Sequence, residues 1–269
     1  MKNIFLIILS FFLVISCEKE IDLDLEDQSG NIVIEANITD QNGPYYVRIT
    51  KSVAFTQGNE YPPVENYYVN LSDDFGQSET LDYVGDGYYK TNFIEGISGH
   101  TYTLKIIVEG KEYIAQSKMP EAVPFDGLEQ DSFMVGGETS YTLLPLFTDP
   151  QALGNRYLFS YTINNKSKKY FSEFSDNVNN GLLNQRPLIL PNDNGDNPGD
   201  VKVVPGDTIH VEMQCIDLNV YTFYSALLQL SGGGPGGGIT PANPPSNISN
   251  GALGYFSAHT VSRKYIVIQ

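Results

Sequence analysis

Between Asn31 and Lys118 apolar residues fall on every second position in short runs, separated by clusters of Gly, Asn, Asp and Pro. A period of two places successive side chains on opposite faces of a strand, so each run predicts a half-buried β-strand. Ile32, Ile34, Ala36 and Ile38 make one apolar face, with Val33, Glu35 and Asn37 pointing the other way. Tyr102, Leu104, Ile106 and Val108 repeat the device. The connections Asp40-Gln41-Asn42-Gly43-Pro44, Asp73-Asp74-Phe75-Gly76, Gly85-Asp86-Gly87 and Glu109-Gly110-Lys111 carry residues that accept positive φ or close turns. About seven strands and no helix signal predict an immunoglobulin-like β-sandwich over residues 31–120.

Met119-Pro120-Glu121-Ala122-Val123-Pro124 marks the expected boundary, because its two prolines interrupt strand pairing. The second half, 121–269, is less regular. Strands are expected at Thr139–Phe147, Arg156–Ile163, Lys168–Phe174 and Thr208–Ile216, then at Tyr255–Ser257 and Tyr265–Ile268 to close a sheet. One helix is inserted near 218–230: Asp217 can cap it, and Val220, Tyr224, Leu227 and Leu228 recur at three- and four-residue spacing. The Gly/Pro-rich stretch 232–247 follows, and its composition predicts a surface loop. The expected fold class is therefore all-β, two β-sandwich-like domains, the second carrying a single α-helix.

Composition narrows the partners. The chain has 269 residues with 16 Lys and Arg against 32 Asp and Glu, a net charge of -16. Such a balance repels nucleic acid, whose binding requires basic groups to displace counterions. Of the two cysteines, Cys17 and Cys215, the second shares an apolar strand face with Ile209, Val211 and Met213, which predicts a core thiol.

The first residues have a different pattern. Lys2 precedes an apolar run from Ile4 to Ile15, broken only by Ser10, and Val14-Ile15-Ser16-Cys17 ends it. The run is too short to span a bilayer and has the order of a cleavable leader. The arrangement resembles the lipobox of a bacterial lipoprotein. It implies a signal peptide over 1–16, lipidation at Cys17 and a lipidated acidic tether over 17–30. Two or three acyl chains, at about 0.8 kcal/mol per buried methylene, would hold such a protein firmly on a membrane. Acid directly after the cysteine, Glu18-Lys19-Glu20, also resembles the surface-export signal of Bacteroidota lipoproteins, which implies an outer-membrane protein facing outward.

Chemistry is sparse. His100, His210 and His259 are far apart and show no paired metal-ligand spacing, so no metal site is expected from them and no role is assigned to them. Asn192–Asp200 concentrates oxygen ligands, but starting at Asn192 puts Asn197 where an EF-hand needs glycine, and no glutamate closes the loop. A solvated loop is expected there, with cation binding left open. The glycines 232–234 and 236–238 lack the Lys and Ser or Thr of a phosphate loop, and no Gly-x-Ser-x-Gly elbow occurs. No catalytic residue and no cofactor is assigned, and the protein is expected not to be an enzyme. The tyrosine doublets Tyr45-Tyr46, Tyr67-Tyr68 and Tyr88-Tyr89 each place one ring outward from a strand, where it can anchor a partner or pack across strands.

Four further runs are shared with a known family: Gly99-His100-Thr101-Tyr102-Thr103-Leu104, Tyr113–Pro120, Phe147-Thr148-Asp149-Pro150 with Asn155-Arg156-Tyr157, and Asn250–Ala258. In that order the chain resembles a Bacteroidota outer-membrane lipoprotein family, the domain-of-unknown-function 4249 family, over nearly its whole length. Members are typically encoded beside TonB-dependent receptors. The resemblance implies a non-catalytic accessory or binding partner of such a receptor in nutrient uptake or envelope assembly. The alternatives are a ligand-capture protein for peptide or glycan, or a hydrolase built from distant carboxylates. Within the family-like Gly251-Ala252-Leu253-Gly254-Tyr255-Phe256, small residues beside large rings predict close backbone packing in a last strand that locks the second domain.

Overall fold

The computed structural model describes residues 29–54, 60–176, 180–192, 201–231 and 243–269. Cys17, the tether up to residue 28, residues 193–200 of the oxygen-rich stretch and residues 232–242 of the Gly/Pro-rich stretch lie outside the described residues. The fold is all-β, with one helix among the described residues.

The first lobe contains β1 (Ile32–Thr39), β2 (Tyr46–Lys51), β3 (Tyr68–Asp73), β4 (Ser78–Thr80), β5 (Asp82–Gly85), β6 (Tyr88–Lys90), β7 (Thr101–Val108) and β8 (Lys111–Lys118). Strands β1-β2-β6-β5 face β4-β3-β7-β8. Read in chain order as A to G, this is the A-B-E-D against C′-C-F-G arrangement of immunoglobulin-type sandwiches. The corner between β6 and β7 agrees. Tyr102, wholly buried at the start of β7, donates its hydroxyl hydrogen to the Glu95 carbonyl at 3.0 Å and accepts from the Ile97 N–H at 2.7 Å. A tyrosine bonded back to its own corner is characteristic of that sandwich. The predicted inward residues of β1 and β7 are buried in one core with Ile49 and Leu71.

The second lobe sets a small sheet, β13-β10-β9, over β12-β11-β14. Its strands are β9 (Gly127–Val135), β10 (Glu138–Leu146), β11 (Arg156–Ile163), β12 (Tyr170–Ser175), β13 (Leu188–Ile189) and β14 (Thr208–Cys215). Phe147, Tyr157, Phe159 and Phe174 form its aromatic centre, Phe159 and Phe174 lying 4.9 Å apart. Cys215 is buried in this core, and burial pushes its thiol pKa up. Helix α1 (Leu218–Ser231) packs on the opposite face of the sheet through Val220 and Tyr224 against Leu158 and Ile216. Asp217 caps it, its Oδ1 accepting from the Asn219 and Val220 N–H groups at 2.8 and 3.0 Å.

The last strand, β15 (Leu253–Val267), connects the two lobes. The two short strands expected near the C-terminus are one, about 50 Å long at the usual strand rise. Its first half pairs in parallel with β1, from Val33 opposite Leu253 to Thr39 opposite His259. Its second half pairs antiparallel with β14, from Thr260 opposite Cys215 to Val267 opposite Thr208. At the handover the Asp40 carboxylate takes the Val261 N–H at 2.8 Å, so no backbone donor is lost where one partner gives way to the other. The result is one eight-stranded sheet, β12-β11-β14-β15-β1-β2-β6-β5, running through both lobes.

The glycine-rich segment before and within β15 therefore locks the first core as well as the second. Ile248, Ala252, Phe256 and Ala258 belong to the first core, although the sequence reading placed 121–269 in a single second unit. Gly254 has φ +89°, and a Cβ there would stand 2.1 Å from the Ile34 carbonyl oxygen. Only glycine lets the two strands approach so closely.

Candidate functional site

The chain crosses from one lobe to the other at Lys118-Met119-Pro120, and a cleft of about 350 Å³ opens beside this crossing. Its other walls are the start of β11, Gly154–Tyr157, and the entry to α1, Cys215–Leu218. Met119, Val123 and Leu218 make it partly apolar, while Lys118, Glu121, Arg156 and Asp217 bring charge. Pockets at domain junctions with a few polar groups among apolar ones are the usual form of a ligand site.

The charged groups are held firmly. Arg156 Nη1 donates to Asp176 Oδ1 at 2.8 Å and to the Asn155 carbonyl at 2.7 Å, and the guanidinium lies 5.4 Å over the Tyr221 ring. Burial works to raise the Asp176 pKa, but the Gly154 N–H, the Arg156 charge and the Asn155 N–H outweigh it, so the carboxylate lies below its ordinary range. Arg156 Nε is buried and has no hydrogen-bond partner among the described residues.

Of the two acids, Asp217 is fully engaged: it caps α1 and its Oδ2 accepts from the Ser117 hydroxyl, which itself accepts from the Ala258 N–H at 2.8 Å. Ser117 thereby joins β8, β15 and the helix cap at one point. Glu121 accepts from the Ser98 hydroxyl at 3.0 Å.

The tyrosine doublets behave as the alternation requires. Tyr45 and Tyr89 are buried, whereas Tyr46, Tyr68 and Tyr88 are exposed. Tyr46 and Tyr88 meet edge to face at 6.4 Å on the outer side of the large sheet, with the Arg48 guanidinium 5.5 Å over Tyr88. Tyr68 is on the other sheet, so the three exposed rings do not form one platform.

The three histidines sit in different surroundings. His100 is largely buried, stacked on Phe75 at 4.0 Å, with Nδ1 3.1 Å from Asp73 Oδ2. Burial raises the Asp73 pKa, but hydrogen bonds from the Gln77 N–H, His100 and the Phe75 N–H outweigh it and set it below the ordinary value. His259 is buried in β15 beside Ser257 Oγ at 2.8 Å, and burial lowers its pKa to about 4. Only His210 stays on the outer face. No group of three His, Cys, Asp or Glu residues able to hold a metal occurs among the described residues. The sequence reading named Arg156 only within the Asn155-Arg156-Tyr157 run and at the start of a strand, with no place in a cleft.

A family model, Domain of unknown function (DUF4249), matches residues 18–265, and the chain belongs to that family. No curated protein matches it. Among solved structures, a two-domain fibronectin type-III segment of chicken tenascin is similar at 14% identity. The match covers 69% of this chain and 90% of that one, at a TM-score of 0.24. The immunoglobulin-type order of the first lobe rests instead on its strand pairing and the Tyr102 corner.

Proposed function

We propose that the protein is a lipid-anchored, surface-facing outer-membrane protein of a Bacteroidota cell. It performs no chemistry of its own and serves as an accessory or binding partner of a TonB-dependent receptor in nutrient uptake or envelope assembly. The observation that carries this reading is the leader ending at Cys17, followed in the sequence by an acidic stretch ahead of β1. Eleven residues separate Cys17 from Ser29, a reach of at most about 40 Å. The start of β1 lies at the end of the large sheet where β15 begins, and the β14-β15 ladder ends on the opposite side. A body tethered at one end presents the other to a partner. Among the described residues no helix is long and apolar enough to cross a membrane.

Purification in mild detergent through a C-terminal tag tests the proposal: a large outer-membrane barrel should co-purify, and repeated recovery of the lipoprotein alone contradicts it. The inter-lobe cleft favours a second reading, capture of a peptide or glycan. A ligand that binds only the folded state raises its melting temperature. A panel of peptides and oligosaccharides that leaves this temperature unmoved removes the second reading.

A further inference from the structure

The β9-β10 hairpin projects at the pole away from the start of β1. Gln130, midway along β9, exchanges two hydrogen bonds with the last residue of the chain: its Oε1 accepts from the Gln269 N–H at 2.9 Å, and its Nε2 donates to the Gln269 backbone oxygen at 3.1 Å. The start of β1 is opposite Leu253, so the whole of β15 lies between it and this level. From Asp131 to Val135 every residue of β9 is exposed. Successive side chains point to opposite faces, so exposure of both faces means that the hairpin leaves the body here. Its tip is apolar: Phe133, Met134 and Val135 are 44, 66 and 54% exposed, ahead of a turn at Gly136-Gly137.

β9 is also an open edge. It is the last strand of its sheet, and among the described residues no strand or bridge pairs with its other side. The Tyr141 carbonyl accepts from the Leu190 N–H at 3.1 Å and the Pro145 carbonyl from Asn184 Nδ2 at 2.8 Å, so both turn away from β9. In an antiparallel ladder their opposites, Ser132 and Leu128, then turn their backbone groups away from β10, and Gln130 and Met134 share their parity. Four alternate positions thus point N–H and C=O groups at the place of a further strand.

Other edges in the molecule are blunted. β4, β5 and β13 are two to four residues long, and β5 shifts register between Tyr83 and Gly85. The Ser249 N–H meets the Ile114 carbonyl of β8 at 2.8 Å, and α1 packs Tyr224 on Phe171 of β12. β9 has nine residues in unbroken register and contains neither Pro nor Lys, the usual devices against edge pairing.

Charge selects the occupant. Glu129 and Asp131 are exposed on the face that also carries Phe133 and Val135, and neither has an ion-pair partner among the described residues. A second copy would bring the same acids and its own net charge of -16 against them. An anionic bilayer is repelled in the same way. An extended segment alternating basic and apolar residues fits instead, with its cations beside Glu129, Asp131 and the Phe133 ring and its apolar residues beside Leu128 and Met134.

We infer that the free edge of β9 receives an extended basic segment of a partner protein as an added β-strand. The inference rests on the binding role proposed above and names the surface that carries it, while its test involves neither the receptor nor the lipid anchor.

The test uses the full chain, purified in neutral detergent, and a synthetic peptide as long as β9 that alternates lysine and valine. One control alternates glutamate and valine. The other is the lysine peptide with a central proline, which keeps the charge and interrupts the ladder. The lysine peptide should bind saturably, about tenfold more tightly than either control, and should slow hydrogen exchange at the Gln130 and Met134 amides. Joint Glu129→Lys and Asp131→Lys substitution should lower its affinity about tenfold with the melting temperature unchanged. Absence of saturable binding overturns the inference, as does equal binding of the proline peptide or binding that leaves those amides unprotected. A dimer in sedimentation that Met134→Lys dissolves would put a second copy on the edge and overturn it too. Each of these failures leaves the receptor reading standing, whereas peptide binding without a co-purified barrel contradicts that reading alone.

Discussion

The two halves of β15 share one strand and do opposite things. From Leu253 to His259 the strand lies beside β1 and contributes to the first core, with Phe256, Ser257, Ala258 and His259 all buried. From Arg263 to Tyr265 its residues are exposed. The first half is fixed by close packing and tolerates little change, and the second presents charge and an aromatic ring at small cost to stability. A strand of this length can therefore be locked in a core at one end and open to solvent at the other.

The sharpest way to break this contrast is at Gly254. Gly254→Val places a Cβ against the Ile34 carbonyl at positive φ, and should cost more than about 4 kcal/mol or abolish folding. Denaturant unfolding reads the result, and a loss under about 1 kcal/mol would refute the close approach. Phe256→Ala, which empties a fully buried ring site, should cost about 3–5 kcal/mol by the same measurement.

His259 makes the contrast depend on pH. Its folded value is about 4 and its unfolded value about 6.5. Between these pH values the unfolded chain binds a proton that the folded chain does not. Its contribution is thus fully present above about pH 6.5 and is lost as pH falls toward 4, by roughly 3 kcal/mol in all. His259→Gln should flatten that part of the stability profile, and an unchanged slope would show that other groups cause it.

Ser117→Ala removes the hydroxyl shared by Asp217 and the Ala258 N–H, and should cost about 1–3 kcal/mol. At the other end, Tyr265→Ala should change stability by no more than about 0.5 kcal/mol. A large loss there would mean that the exposed ring is structural after all.

The sequence revealed elements wherever burial is one-sided. β1, β7 and β14 announce themselves by alternation because one face enters a core, and Asp217 with the spacing of Val220 and Tyr224 marks the helix. β9 was not visible: from Glu129 to Val135 it is largely exposed at the edge of its sheet, so no buried face imposes a period. β13 is two residues long, too short for any period. β15 read as two strands because the residues between, Ala258 to Ser262, are buried on both sides or turn between partners and do not alternate.

The candidate sites were harder to read because they are tertiary. Lys118, Arg156 and Asp217 come from three separated segments, and nothing in their local spacing brings them to one cleft. The Tyr102 corner could have been anticipated from a tyrosine opening a strand just after Gly99.

The structural claim beneath all of this is that β15 makes the two lobes one cooperative unit, and native-state hydrogen exchange on Phe256→Ala tests it most directly. If the unit is single, the amides of β14 in the second lobe lose as much protection as those of β1, which β15 touches. If β1 loses protection while β14 keeps that of the unsubstituted protein, the lobes unfold independently and the claim is wrong.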